Sequence, residues 1–181
     1  MNKKYAIPEY LMATDIKRIR NNLKMTQKDF ADFIGASKPT VERWESGKEK
    51  IKGPIVLLIY MLENNIDYID NIKIPKKEFP IRLYYMNNQF LCTIIDVDSI
   101  NQEVKIHNYT NNIMYRAFGV NEKPSYDEYI DFLKSRCFPE TRDKLKLVLA
   151  DLNIPFYDPF MIIEKTEGRM ADDDFWIRIE V

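Results

Sequence analysis

The residue types best placed to do chemistry in this 181-residue chain lie between Met25 and Lys48, in the run MTQKDFADFIGASKPTVERWESGK. Lys38, Thr40 and Arg43 fall outward from a short helix whose Val41 and Trp44 turn inward, so two cations and a hydroxyl project together. A guanidinium at position 43 has the fork geometry to bond guanine O6 and N7 at once. Lys38 and Thr40 reach base edge or phosphate, and Pro39 offers apolar contact alone. Gln27 starts the preceding helix, where free N–H groups favour an anion. Lys28 and Lys48, with Lys50 and Lys52, supply attraction that ignores base sequence. With Thr26 and Ser37 at the helix starts, the candidate DNA contacts are Thr26, Gln27, Lys28, Ser37, Lys38, Pro39, Thr40, Arg43 and Lys48.

Other chemistries find little support. Asp172, Asp173 and Asp174 carry oxygen ligands, but three consecutive carboxylates do not converge on one ion in regular structure, and a solvated loop is the expectation. Cys92 and Cys137 are far apart and His107 is the lone histidine, which argues against a disulfide framework or a metal centre. No phosphate-cradling glycine loop, nucleophile elbow or His–carboxylate pair occurs, so no enzyme activity and no cofactor are expected. Arg136, Arg142 and Arg169 form a second candidate set, able to receive a carboxylate or phosphate of a partner.

The elements that must position the first set are written locally. Thr26 with Asp29 is a reciprocal capping pair, and Phe30, Phe33 and Ile34 follow as an apolar stripe. Gly35 ends that helix. Ser37 caps the next, where Pro39 falls in the first turn and costs no hydrogen bond. Two short helices joined by a tight glycine turn constitute a helix-turn-helix. From Asp15 to Asn64 the chain resembles the Cro/repressor-like helix-turn-helix proteins, in the Thr-Gln opening, the Gly-Ala-Ser turn and the Val-x-x-Trp-Glu-x-Gly close. Within that resemblance, KGPIVLLIYMLENN, a Gly-Pro entry followed by Val56, Leu57, Ile59, Tyr60 and Leu62, is similar to HigA- and MqsA-type antitoxins. The resemblance implies that Gln27 bonds a phosphate or braces a side chain of the recognition helix, and because one such helix touches only a few base pairs, a homodimer on a double-stranded operator is expected.

Charge divides along the chain. Residues 1–78 hold 12 lysines and 3 arginines against 11 acids, and residues 79–181 hold 12 basic residues against 17 acids. A basic half joined to an acidic half suits one face on DNA and another on a basic partner. The length supports two domains, expected over residues 1–74 and 75–181 with the junction in NIDYIDNIKIPKKEFP, where helical periodicity lapses and Pro75 and Pro80 bracket a charged run. The opening MNKKYAIPEYLMATD lacks a secretory apolar run, and no stretch approaches the roughly 18 apolar residues of a membrane span, so a cytoplasmic protein without membrane contact is expected.

Beyond the junction, IRLYYM, FLCTIIDV and EVKIHNY predict three antiparallel strands with turns at Asn-Asn and Asp-Ser-Ile-Asn-Gln. Ser125 with Glu128 predicts a capped helix through Tyr129, Phe132 and Leu133. Pro139 predicts the start of a second, carrying Leu145, Val148, Leu149 and Leu152, and Asp158-Pro159 a third, ended by Gly168. FWIRIEV predicts a closing strand. The fold class is α+β: an all-α helix-turn-helix domain, then antiparallel strands covered on one side by three helices. The run from Ser135 to the end is similar to segments associated with HipA-like kinases, in Arg136, Pro139 and Arg142 followed by Asp173, Trp176 and Ile177. That resemblance implies a protein-binding module with a kinase-like toxin as partner. Two alternatives stay open: a phage or mobile-element repressor whose second domain dimerises or senses a ligand, and an adaptor that makes protein contacts only.

Overall fold

The computed structural model describes residues 4–66 and 68–181, which form two compact units, one up to Lys73 and one from Ile74. The first unit is all-helical: α1 Ala13–Asn22, α2 Gln27–Phe33, α3 Lys38–Ser46, α4 Pro54–Asn64 and α5 Tyr68–Ile72. Its core gathers Ile16 and Ile19 of α1, Phe30 and Ala31 of α2, Val41 of α3, and Val56 and Ile59 of α4. Ile16 with Ile19 and Val56 with Ile59 are i, i+3 pairs, and the partly buried Phe33, Ile34 and Trp44 extend the Phe30 and Val41 faces at i+3 and i+4, so each element has one face it must hide. Leu11 and Ile51 exchange two backbone hydrogen bonds of 2.9 Å each, which ties the segment before α1 to the loop after α3. The short α5 lies in the stretch expected to be an irregular junction; its five residues are too few for periodicity to reveal.

The second unit is a four-stranded antiparallel sheet in the order β3-β2-β1-β4, built from β1 Ile81–Asn87, β2 Phe90–Asp98, β3 Glu103–Asn108 and β4 Phe175–Glu180. Helices α6 Tyr126–Ser135, α7 Leu145–Asp151 and α8 Pro159–Thr166 carry the chain from β3 to β4. The fold is thus α+β, as the strand and helix signals imply. Leu83, Tyr85, Ile95, Val97 and Ile177 of the sheet meet Tyr129, Phe132 and Leu133 of α6, Leu149 of α7, and Ile162 and Ile163 of α8 in one core. The register slips between Tyr85 and Met86, leaving Cys92 unmatched on β2.

The opposite sheet face is closed by charge. Arg82 grips Asp96 through two hydrogen bonds of 2.6 Å and gives a third, of 2.8 Å, to the Pro75 carbonyl. The Tyr84 hydroxyl donates to Glu180 at 2.7 Å beneath the Arg178 guanidinium, 4.1 Å from the Tyr84 ring centroid. Residues 75–78 are thereby fastened to β1 and β2, with Glu78 accepting from Lys105 and donating its N–H to Asp96 at 3.4 Å.

One helix starts later than its proline implies. Residues 139–143 are turns, with the Arg142 N–H on the Pro139 carbonyl at 3.0 Å, and α7 begins only after Lys144 takes a left-handed φ of 57°. Among the described residues no helix is long and apolar enough to cross a membrane.

Candidate nucleic-acid interface

Both helices of the motif are capped as their sequence demands. Thr26 Oγ1 accepts from the Asp29 N–H at 3.2 Å while the Asp29 carboxylate takes the Thr26 hydroxyl at 2.7 Å, and those bonds hold the Asp29 carboxyl below its ordinary range. Gly35, at φ 68°, turns the chain, and Ser37 Oγ accepts from the Thr40 N–H at 3.3 Å to open α3. Gly47 closes it: a Cβ there would come within 2.9 Å of the Arg43 carbonyl.

What fixes the attitude of α3 is a buried carboxylate. Glu45, 4% exposed, accepts from Arg20 Nε at 2.6 Å and Nη2 at 3.2 Å, and from Gln27 Nε2 at 2.7 Å. Arg20 also reaches the Met25 carbonyl at 2.9 Å. One side chain of α3 is thus bonded to α1 and to the first residue of α2. Burial works to raise the Glu45 pKa, but the bonds from Arg20 and Gln27 with the Arg20 charge outweigh it, so the group sits below its ordinary value and stays ionised. Of the two roles open to Gln27, the structure has it bracing α3. Glu45 and Arg20 were absent from the sequence candidates; the acid sits in the apolar phase of α3, one residue after Trp44, and that phase is the signal for it.

The solvent face of α3 presents Lys38, Pro39, Glu42, Arg43 and Ser46. Lys38 pairs with Glu42 at 3.1 Å, an i, i+4 contact that places a carboxylate among the cations. Of the three arginines in this unit, Arg18 is bonded to Glu63 at 2.7 Å and Arg20 to Glu45, while the Arg43 guanidinium has neither hydrogen bond nor ion pair among the described residues. Arg43 opens onto a groove of about 650 Å³ lined with Trp44, Gly47, Lys48, Lys50 and Lys52. Trp44, expected in the core, packs against its edge and stays partly exposed. Thr40 is half-buried with its hydroxyl 2.9 Å from Ser37 Oγ, and Lys28 and Lys48 are exposed.

Residues 16–59 match the helix-turn-helix family model. The match runs from α1 into α4 and takes in the whole Glu45 pin and the exposed face of α3. A 70-residue stretch is similar to the type II methyltransferase M.SsoII of Shigella sonnei, at 39% identity over 37% of this chain. That stretch is 17% of the methyltransferase, so the chain spans about a sixth of the relative's length. No solved structure matches the chain. The helix-turn-helix match supports DNA binding and transcriptional regulation as the work of this unit.

The second candidate set divides. Arg136 is 7% exposed and wholly engaged: Nη1 and Nη2 grip Asp173 at 2.6 and 2.9 Å, Nε and Nη2 reach the Gly168 carbonyl at 3.1 and 2.9 Å, and Nη2 the Phe175 carbonyl at 3.0 Å. The expectation that Arg136 receives a partner's anion is therefore corrected; it joins the ends of α6 and α8 to the start of β4. Arg142 and Arg169 are exposed beside a cleft of about 230 Å³, Arg142 over the Phe138 ring and Arg169 bonded to Glu167 at 2.7 Å. The acidic triplet is likewise unequal, since Asp173 is fixed by Arg136 and the Phe175 N–H while Asp172 and Asp174 stay exposed. Cys92 and Cys137 are buried free thiols, and burial pushes the Cys137 thiol up to about 12.

Proposed function

We propose that this protein is a sequence-specific transcriptional regulator that reads an operator as a homodimer, and that its second unit binds a protein partner in the manner of an antitoxin. The observation that carries the DNA reading is Arg43: an exposed guanidinium with no internal partner, on a helix whose angle is fixed by the buried Glu45. In a major groove such a side chain bonds guanine O6 and N7 together, and the fixed helix lets that bond form without the cost of ordering its support. Glu42 discriminates in the other sense, since a carboxylate accepts from cytosine N4 and is repelled by phosphate. Lys28, Lys48, Lys50 and Lys52 act on the backbone.

One recognition helix touches too few base pairs to outcompete genomic sites, which favours two half-sites and two protomers. Leu57 and Met61 on α4 and Tyr68 and Ile72 on α5 are exposed, apolar and uncharged, a composition suited to a twofold contact where like charges would meet themselves. For the kinase-like partner the support is thinner, because Arg136 and Asp173, two marks of that sequence pattern, are spent on each other.

Footprinting upstream of the protein's own gene, followed by titration on the protected duplex and a scrambled one, tests the reading. Two half-sites about one helical turn apart and a dimer on the duplex support it. Equal affinity for both duplexes removes the sequence-specific reading, and binding to neither leaves the adaptor alternative. Copurification of a stoichiometric basic protein supports the antitoxin role, and a clean homodimer that represses alone favours the stand-alone repressor.

A further inference from the structure

One end of the C-terminal sheet exposes a concentration of large apolar side chains that neither the core nor DNA reading uses. Phe90, at the β1–β2 turn, is 76% exposed, Met114 is 79% exposed, and Ile113 and Tyr115 are close to half exposed. Three segments bring them to that end. Asn87 pairs with Phe90 on one side and with Phe175 on the other, and the Tyr115 ring meets the Phe175 ring edge-on at 5.6 Å. The turn residue Asn88 donates to the Asp174 carbonyl at 3.1 Å and accepts from the Trp176 indole N–H at 2.7 Å.

The loop that carries Ile113 to Tyr115 is built rather than slack. Asn112 Oδ1 caps a single 3-10 turn by accepting from the Met114 N–H at 3.1 Å, Arg116 Nε bonds the Thr110 carbonyl at 2.8 Å, and the Ala117 N–H reaches the buried Thr93 hydroxyl at 3.2 Å. A loop fixed by these hydrogen bonds keeps Met114 and Ile113 exposed to water, which is unfavourable unless something covers them. At its margin Asp172 and Asp174 are exposed with no ion pair among the described residues, while Glu122, its side chain 73% exposed, is paired with Arg116 at 3.5 Å. The exposed Arg169 lies over the Trp176 ring and is already bonded to Glu167.

We propose that this end of the sheet is a docking surface for a basic polypeptide segment with apolar anchors. It rests on the partner-binding reading of the second unit and assigns that reading a place and a chemistry. Phe90, Ile113, Met114 and Tyr115 receive the anchors, and Asp172 and Asp174 select lysine or arginine at the rim, where charge sets encounter rate and specificity.

The test uses the full chain, immobilised, against a displayed library of random 16-residue peptides, beside a Phe90→Asp/Met114→Asp variant and an Asp172→Lys/Asp174→Lys variant. Retained operator binding and an unchanged near-ultraviolet circular dichroism spectrum certify that the variants fold. The proposal expects selected peptides rich in lysine or arginine with leucine or aromatic residues, bound at least about tenfold more weakly by the first variant. The second variant should lose most of the salt dependence of that binding. Acidic peptides, or peptides bound equally by the wild type and both variants, overturn it. Peptides that ignore these variants but fail on Arg142→Ala/Arg169→Ala overturn the surface and leave a partner-binding unit in place. An empty selection sinks both, and a dimer that dissociates on Phe90→Asp/Met114→Asp replaces the basic partner with a second copy of the chain.

Discussion

Replacing Glu45 with alanine should be the most damaging single change in the DNA-binding unit. The carboxylate is buried and accepts three hydrogen bonds, two from Arg20 and one from Gln27, and its loss leaves the Arg20 guanidinium with the Met25 carbonyl as its remaining acceptor. Removing one member of a buried ion pair costs about 3–5 kcal/mol. The Arg20 side chain is 17% exposed and recovers some hydration, which brings the expected cost to about 2–4 kcal/mol. For a domain this small that is a fall in melting temperature of roughly 10–30 °C. Glu45→Gln separates shape from charge. Its amide oxygen can still accept from Arg20, and its N–H₂ can donate to Gln27 if that amide turns over, so the loss should be about 1–2 kcal/mol. Scanning calorimetry of the full chain should show the helical unit's transition moving down for both variants while the other holds its place. The pH dependence follows from the same group. Because the folded-state pKa of Glu45 is depressed, its stabilisation is present above the unfolded carboxylate value and is lost as pH falls through the folded one. The wild-type transition should therefore drop below about pH 4.5, the ordinary value for glutamate, more steeply than that of Glu45→Gln. Equal losses for the alanine and glutamine variants, or an unmoved transition in Glu45→Ala, would refute the pin.

Arg43→Ala should cost about 1–3 kcal/mol on the cognate duplex and relax preference at one base pair, while equal losses on operator and scrambled DNA in fluorescence titrations would make it a phosphate contact. Met61→Asp should shift sedimentation toward monomer and flatten operator binding, and an unchanged dimer would place the protomer contact elsewhere. Gly168→Ala should destabilise the second unit by about 1–2 kcal/mol in denaturant titrations, since the residue has φ 59° and a Cβ would stand 3.3 Å from Arg136 Cβ. Cys137, buried with its thiol raised to about 12, should resist alkylation at pH 8 in the native protein and react on unfolding.

What the sequence exposes is what local chemistry decides. The caps at Thr26, Ser37, Ser125 and Asp158, the Gly-Pro entry to α4 and the strands of the second unit, rich in β-branched and aromatic residues, all depend on residues within a few positions of each other, and all stand in the structure. The failures lie where the partner is distant or the signal degenerate. Pro139 is compatible with a first helical turn or with a β-turn, and in the fold it takes the turn, leaving Lys144 to start α7. Arg136 reads as a free cation because Asp173 stands 37 residues away, and Glu45 reads as surface charge because Arg20 stands 25 residues before it. Of the candidate contacts, the outward side chains of α3 follow from helical phase, whereas the role of Gln27 needed the buried acid it bonds.

Whether an arginine here holds the fold or reads a ligand is decided by carboxylates, and that gives the functional reading its order. Arg20, Arg82 and Arg136 each meet a carboxylate in two hydrogen bonds or more and also a backbone carbonyl, so each is consumed in joining elements remote in sequence. A guanidinium so placed cannot leave without stranding its acid, and its conversion to a ligand contact would cost the interaction that orders the site. Arg43 has no such partner in its own unit, and nothing in the packing of α3 requires a cation at that position, since Val41 and Glu45 already fix the helix. A charge that stability does not need, held outward on a helix pinned through Glu45, is free to meet an anion or base edge outside the chain.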